Sequence, residues 1–265
     1  MVTVSIVTYH TDLEELARCL DSLNAQSVSL ITVVDNASEE RMRRFVADSG
    51  DARLRYIASE NRGYGAGHNQ ALRQALSRGS RYHLVLNSDV RFPHEALEEM
   101  VRYMDAHPAT GLAHPLLVYP DGRRQYTARA IPTPFDLIVR RFLPAGLFAK
   151  SRDRYLLKHA DISAPFEAGY VQGSFMLMRV EALRHCGLFD ERFFMYPEDI
   201  DLSRRIGEVA RVECVPAVTV IHDHRGASYH SGRMLRIHII NMVRYFCKWG
   251  WLFDRRRREV NRRLR

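Results

Sequence analysis

LVLNSDV, residues 84–90, starts as a buried β-strand and stops on an amide, a hydroxyl and a carboxylate. Three apolar residues, Leu84, Val85 and Leu86, run into Asn87, Ser88 and Asp89. In isolation the ending reads as a turn, because Asn, Ser and Asp hydrogen-bond their own backbone and favour chain reversal. The flanking segments give it a second meaning.

Outward from that stretch, the first hundred residues alternate between two periods. TVSIVTY (3–9), LITVVD (30–35), RLRYIA (53–58) and YHLVLN (82–87) are strand-like. Between them Leu13, Leu16, Leu20 and Leu23 recur at helical spacing behind Asp12, a suitable N-cap. EERMRRFVAD (39–48) and AGHNQALRQALSRG, ending at Gly79, also read as helices, and PHEALEEMVRYMDAH (93–107) is a helix opened by proline. Strand–helix alternation predicts an α/β fold with a mostly parallel central sheet flanked by helices. Ligands on such sheets bind beyond the carboxyl ends of the strands. Thr8 and Tyr9, Asp35 and Asn36, Asn61, and Asn87 to Asp89 all fall at those ends. Four polar strand ends on one edge point to a site.

The loop after the third strand, ENRGYGAGHNQAL, places Gly63, Gly65 and Gly67 at alternate positions, where backbone can approach a ligand or take positive φ. It is not a dinucleotide fingerprint: the spacing is G-x-G-x-G, and it does not follow the first strand. Residues 119–168 lack sustained periodicity and read as loops and short helices. GYVQGSFMLMRVEAL (169–183) then reads as a strand passing into a helix, with Gly173 where a backbone can pass close to a ligand. In GLFDERFFMYPEDIDLSRRI (187–206), Glu198, Asp199 and Asp201 follow Pro197 at a helix start. Acids there complement the helix dipole. The aromatic run before them (Phe189, Phe193, Phe194, Tyr196) can either wall a sugar site or fill a core.

The net charge is +8, and residues 233–265 hold eleven Lys and Arg against Asp254 and Glu259, a net +9, so residues 1–232 carry −1. The chain reads as a near-neutral body, 1–232, with a basic helical tail, 233–265. In that tail Leu235, Ile239, Met242, Val243 and Phe246 recur at helical spacing, with Trp249, Trp251 and Phe253 beyond. Basic residues and interfacial tryptophans suit a helix on an anionic leaflet. Packing on the body is the equal alternative for 234–247 and is not expected for 254–265. The four cysteines form no C-x-x-C pair, which points away from zinc and disulfides and toward a reducing compartment. No signal-peptide pattern opens the chain, and no run approaches the ~20 apolar residues of a membrane span. A basic-tailed nucleic-acid or membrane-surface module without catalysis is the alternative class. RRRR (255–258) attracts phosphate polymers, but no nucleic-acid module accompanies it, and no nucleic-acid partner is expected.

IVTYH, VVDNAS, ENRGYGAGHNQAL, LNSDV, GSFMLMR, GLFDERFFMYPEDIDL and IHDHRGAS occur in the order seen in family-2 inverting glycosyltransferases, and the chain resembles their bacterial rhamnosyltransferase-like branch. The resemblance spans roughly residues 2–245. It implies a GT-A (Rossmann-like) fold, a nucleotide-sugar donor such as dTDP-rhamnose or a UDP-sugar, Mg2+ or Mn2+, and one displacement that inverts the anomeric centre. With the basic tail and the lack of a signal pattern or membrane span, the expectation is a cytoplasmic enzyme, peripheral on the inner face of the bacterial plasma membrane, acting on a lipid-linked glycan acceptor.

By that resemblance Asp35 accepts the pyrimidine N3–H, and Thr8, Tyr9 and Asn36 flank the pocket. Asn61, Gly63, Gly65 and Asn69 lie along the nucleotide and sugar. The family's D-x-D becomes Asn87, Ser88 and Asp89, leaving Asp89 as the anionic metal ligand. A histidine from the later motif joins it: His222, favoured by its spacing to Ser228, or His224. Asp199 is the expected base and Glu198 its neighbour at the reacting centre. Gly173, Tyr196 and Asp201 fall to the acceptor side, Asp201 also being suited to orient or cap the helix.

Overall fold

The computed structural model describes residues 1–137, 148–223 and 232–265, without the side chain of Arg233. Strands β1 (Val2–Thr8), β2 (Val28–Asp35), β3 (Leu54–Ala58) and β4 (Tyr82–Leu86) run parallel in the order β3-β2-β1-β4. Helices α1 (Leu13–Asp21), α2 (Glu40–Asp48) and α3 (Tyr64–Ser77) connect them. Asp12 caps α1 as expected, its Oδ1 accepting the amides of Glu14 and Glu15 at 2.9 and 3.0 Å. After β5 (Val90–Arg91) and α4 (His94–Ala106) comes β6 (Thr110–Val118). Short elements fill the stretch without periodicity: β7 (Arg124–Gln125), β8 (Ala128–Arg129), α5 (Ala149–Tyr155), β9 (Phe166–Glu167) and β10 (Tyr170–Val171). The chain continues through β11 (Phe175–Arg179), α6 (Val180–Cys186), α7 (Glu198–Val209), β12 (Arg211–His222), α8 (Gly232–Trp249) and α9 (Arg255–Arg263).

The sheet order is β3-β2-β1-β4-β11-β6-β12-β5, mixed but mostly parallel. β11 enters antiparallel to β4, pairing Phe175 with Leu86, and β12 runs parallel to β6. Register is fixed by alternation, since a one-residue slip would turn every side chain to the other face. In β4, Leu84 and Leu86 enter one apolar layer and Val85 the other; in β11, Phe175 and Leu177 divide from Met176 and Met178 in the same way. Burying each such side chain contributes roughly 1.5–3 kcal/mol. That register aligns the carboxyl ends: Thr8 pairs with Asp35, Asp35 with Ala58, and Ile6 with Leu86. Antiparallel β11 begins at the same edge, and the pairing of His222 with Val90 carries β12 there as well.

The boundary drawn at 232/233 from charge is not a boundary in packing. Tyr245 and Phe246 are buried in the layer under α3, α6 and α7. Residues 254–265, expected to stay off the body, pack on it too. The Asn261 amide both accepts from and donates to the Ile131 backbone, and Arg257 and Val260 are buried. Arg204 of α7 lies flat over Trp249, 4.0 Å from the ring centroid, and donates to Tyr245 Oη at 3.0 Å and Asp254 Oδ2 at 2.9 Å. Both charged side chains are under 5% exposed. Removing one partner of a buried pair strands the other, at about 3–5 kcal/mol. Asp254→Ala is therefore expected to lose at least that much in urea unfolding, because it also strands buried Arg257 and uncaps α9, and adding Arg204→Met should restore only the Arg204 part.

Candidate active site

Asp35 ends β2 fully buried. Its carboxylate accepts four bonds: Thr8 Oγ1 at 3.3 Å, Ala37 N at 3.0 Å, Glu39 N at 2.7 Å and Tyr56 Oη at 3.1 Å. A carboxylate offers about four acceptor positions, so a nucleobase N3–H could meet Asp35 only by displacing the Thr8 or Tyr56 hydroxyl. The residue is the hub of the pocket wall. Tyr9 beside it is 56% exposed, open to stack on a ring. Asn36 donates to Asn61 Oδ1 and to the Gly63 carbonyl, and Asn61 Oδ1 receives the Gly63 amide, so the three form one rim.

The glycines beyond that rim serve packing. Gly63 has φ +106°, and a Cβ there would lie 2.2 Å from the Phe194 carbonyl oxygen, which accepts the Tyr64 amide at 2.9 Å. Gly65, expected beside the donor, instead faces the Phe189 ring. Asn69 is likewise corrected. It is buried and pairs with the Phe189 backbone, Nδ2 to O at 2.9 Å and N to Oδ1 at 3.0 Å, with a further bond to Glu191. Its amide clamps the 187–197 loop to α3, leaving no group for a nucleotide. Phe189 and Phe193 fill the core, whereas Phe194 and Tyr196 are half-buried.

Past β4, Asn87 Oδ1 receives the Tyr64 hydroxyl at 2.8 Å and Ser88 Oγ bonds Glu15 Oε1 at 2.8 Å. Asp89 lies 3.4 Å, Oδ1 to Nε2, from His222. Gln125 orients that ring: its amide nitrogen donates to the His222 carbonyl at 2.7 Å, so its oxygen faces Nδ1 at 2.8 Å. An amide oxygen only accepts, so Nδ1 carries a proton and Nε2 is the ring atom turned toward the carboxylate. A carboxylate oxygen and an imidazole nitrogen at this separation can share a cation, and a hydrogen-bond acceptor fixing the outer nitrogen is the usual support of a metal-bound histidine. Asp89 and His222 therefore fit a divalent cation that completes its shell with substrate and water oxygens. Among the described residues no third His, Cys, Asp or Glu joins them. His224 and Ser228 lie outside the described residues. Gln125 came from a stretch without periodicity, and no sequence signal marked it.

The acids of α7 face the same edge. Asp199 Oδ1 accepts the Ile200 amide at 2.8 Å and Oδ2 the Gly173 amide at 3.2 Å. Gly173 thus fixes the acid, and its missing side chain makes room for the Tyr64 ring, 3.1 Å from where a Cβ would stand. Burial raises the Asp199 carboxyl above its ordinary value despite those amides. Glu198 is raised well above its own, by burial first and the Asp199 charge second. Its Oε2 is buried with no hydrogen-bond partner among the described residues. The Tyr196 ring meets His238 of α8 edge-on, centroids 5.2 Å apart. Asp201, expected on the acceptor side and to orient or cap the helix, is turned into the packing, where it orients α7. It is fully buried, bonding Arg205 Nε at 2.9 Å, Trp249 Nε1 at 2.8 Å and Lys248 Nζ at 2.6 Å, and so ties α7 to α8. Tyr64, which sequence reading passed over, links the halves: its hydroxyl is 2.8 Å from both Asn87 Oδ1 and Gly173 O.

The sequence profile of glycosyl transferase family 2 matches residues 3–187. The chain belongs to that family. It is a glycosyltransferase that uses a nucleotide-sugar donor, and the alternative of a non-catalytic module is not favoured. It is similar to rhamnosyltransferase WbbL of Escherichia coli K12, 26% identical over 265 residues and 96% of each chain. It is also similar to the N-acetylglucosaminyl-diphospho-decaprenol L-rhamnosyltransferase of Mycobacterium tuberculosis, 26% identical over 84% of this chain and 76% of the relative. Its fold is that of GT-A enzymes. GalNAc-T7 with UDP, GalNAc and Mn2+ superposes with a TM-score of 0.60 at 14% identity, over 84% of this chain and 43% of the other. The Pyrobaculum calidifontis mannosyltransferase PcManGT, with GDP-Man and Mn2+, gives 0.56 at 18% identity, over 92% and 64%.

A carboxyl whose folded pKa is raised destabilises the fold once it must ionise, and the effect disappears where both folded and unfolded states are protonated. Glu198→Gln should therefore raise the melting temperature at pH 7. The gain should shrink as pH falls and vanish below the ordinary glutamate value of 4.5. Thermal scans of both proteins across pH 4–8 check it.

Proposed function

We propose that this enzyme transfers a sugar with inversion from a pyrimidine nucleotide sugar, dTDP-rhamnose or a UDP-sugar, to a hydroxyl of a lipid-linked glycan. The observation that carries the reading is the fixed Asp199 carboxylate, joined through Gly173 and Tyr64 to the strand end that holds Asp89. The lipid-linked acceptor is argued from the mycobacterial relative, whose name describes one, and implies work at the cytoplasmic face of a membrane.

The acceptor oxygen bonds the anomeric carbon as the bond from that carbon to the diphosphate oxygen breaks. The Gly173 and Ile200 amides hold both Asp199 oxygens, aiming the carboxylate at the acceptor hydroxyl whose proton it takes. A raised pKa suits that task, because a base works best near the ambient pH. Glu198, kept neutral by burial, can donate a hydrogen bond to the acceptor. Mg2+ or Mn2+ held by Asp89 and His222 would supply positive charge for the leaving diphosphate, and the imidazole ligand favours Mn2+. Tyr9 and the Asn36–Asn61–Gly63 rim receive the nucleoside.

Asp199→Asn keeps shape and removes the base. Transfer is expected to fall ~10²–10⁴-fold, with nucleotide-sugar affinity near that of the unaltered enzyme; full activity in this variant would sink the assignment. The dependence of rate on pH should follow, since the base must be ionised. Activity should rise with pH through an ionisation above the ordinary aspartate value of 3.8, and Asp199→Asn should lose that limb. For the cation, a donor at ~100 times its Kd stabilises a fold by about 2.7 kcal/mol. In Asp89→Ala the Mn2+-dependent part of that gain should disappear from thermal-shift curves.

A further inference from the structure

Between α8 and α9 the chain exposes Trp251, Leu252 and Phe253 at 44%, 70% and 85%. Exposed apolar side chains are ordinary singly, but three in succession form a patch that calls for an occupant. The tip is not a loose end. Buried Arg257 donates to the carbonyls of Gly250 at 3.3 Å and Trp251 at 2.9 Å, and Arg258 to that of Leu252 at 3.1 Å. Gly250 has φ +98°, and a Cβ on it would lie 2.9 Å from the Phe253 carbonyl oxygen. Asp254 then closes the turn by accepting the Arg257 amide at 2.9 Å. The body thus holds three large side chains rigidly in water.

Directly behind the tip, Arg255, Arg258 and Arg262 stand at i, i+3 and i+7 on one face of α9, with Glu259 pairing Arg255, and Arg265 follows just past the helix end. All four are exposed and line a cleft of about 600 Å³. The two features are continuous, for the Arg258 guanidinium lies 5.7 Å over the Phe253 ring. Upstream, α8 leaves Ile239, Ile240 and Val243 exposed. No helix among the described residues is long and apolar enough to cross a bilayer.

We propose that this tip is a wedge for an anionic lipid bilayer, its three apolar side chains entering the acyl region while the arginine face of α9 meets lipid phosphates. Apolar bulk ahead of a row of cations matches the order of layers met on entering an anionic leaflet, which is why lipid and not a second copy of the chain is the occupant. Asp201, Lys248 and Trp249 join this segment to α7, so a docked tip places the catalytic helix at a fixed height over the membrane. The inference rests on the lipid-linked acceptor only for its purpose, since docking is measured with lipid alone.

The full chain is sedimented with vesicles of phosphatidylcholine, or of phosphatidylcholine mixed with phosphatidylglycerol, at low and high salt. Binding should require the anionic lipid and weaken with salt. Emission from Trp251, one of two tryptophans, should shift to the blue on binding, and Trp251→Phe should abolish the shift. Leu252→Ser with Phe253→Ser should cut partitioning at least about tenfold, and Arg262→Gln with Arg265→Gln about fivefold per arginine. These positions are exposed, so melting temperatures and transfer to a short soluble acceptor should stay unchanged. Equal recovery with both vesicles, no binding, or binding unaltered in both double variants overturns the proposal. So does a concentration-dependent dimer that the serine variant dissolves, which would make the tip an interface between copies. None of these results touches the glycosyl-transfer reading, which stands or falls on the Asp199 and Asp89 variants.

Discussion

The hydroxyl of Tyr64 joins the two halves of the active site. On one side is Asn87 at the end of β4; on the other is the Gly173 carbonyl, whose own amide holds Asp199. Burial, and after it the neighbouring acids Glu198, Asp199 and Asp89, lift the phenol far above its ordinary pKa. It therefore stays protonated and remains a donor at every working pH. The parallel strands that shape the nucleotide pocket and the antiparallel strand that leads to the catalytic helix are thereby held in one geometry. Removing the hydroxyl would take away the one proton that these two partly buried acceptors share, a cost of about 1–3 kcal/mol.

Charge is sorted around this join. Asp89 meets an imidazole; Glu198 and Asp199 meet each other and little countercharge, so burial raises both carboxyls. The proposed metal ligand and the proposed base need opposite surroundings. The fold provides them by drawing one from a strand end and the other from a helix start. Asp201, only two residues from Asp199, is neutralised by Arg205 and Lys248, accepts a hydrogen bond from Trp249, and ties α8 to α7 instead.

Strand–helix alternation over the first hundred residues announced the parallel half of the sheet, and the polar residues at its strand ends do come together at one edge. Both are local signals, written at periods of 2 and 3.6 residues. The antiparallel insertion of β11 and the pairing of β12 with β5 were not legible, because pairing partners leave no mark on a single strand. For the same reason Gln125 and Tyr64 went unseen: each acts through a residue distant in the chain. Asn69 and Asp201 had the right chemistry for a site and were found turned into the packing, since residue type does not tell which way a side chain faces. Charge misled at the tail. Long arginine side chains lay their stems on apolar surface and keep their heads in water, so a stretch as basic as 254–265 can still dock on the body.

The pairing of Asp89 with His222 as one cation seat, facing the acid of α7, is tested most directly by anomalous diffraction from crystals grown with Mn2+ and a nucleoside diphosphate. A single manganese peak should lie between Asp89 and Nε2 of His222, with diphosphate oxygens completing its shell and Asp199 unligated across the cleft. A manganese ion held by Glu198 and Asp199, or one that leaves His222 outside its coordination, would contradict it.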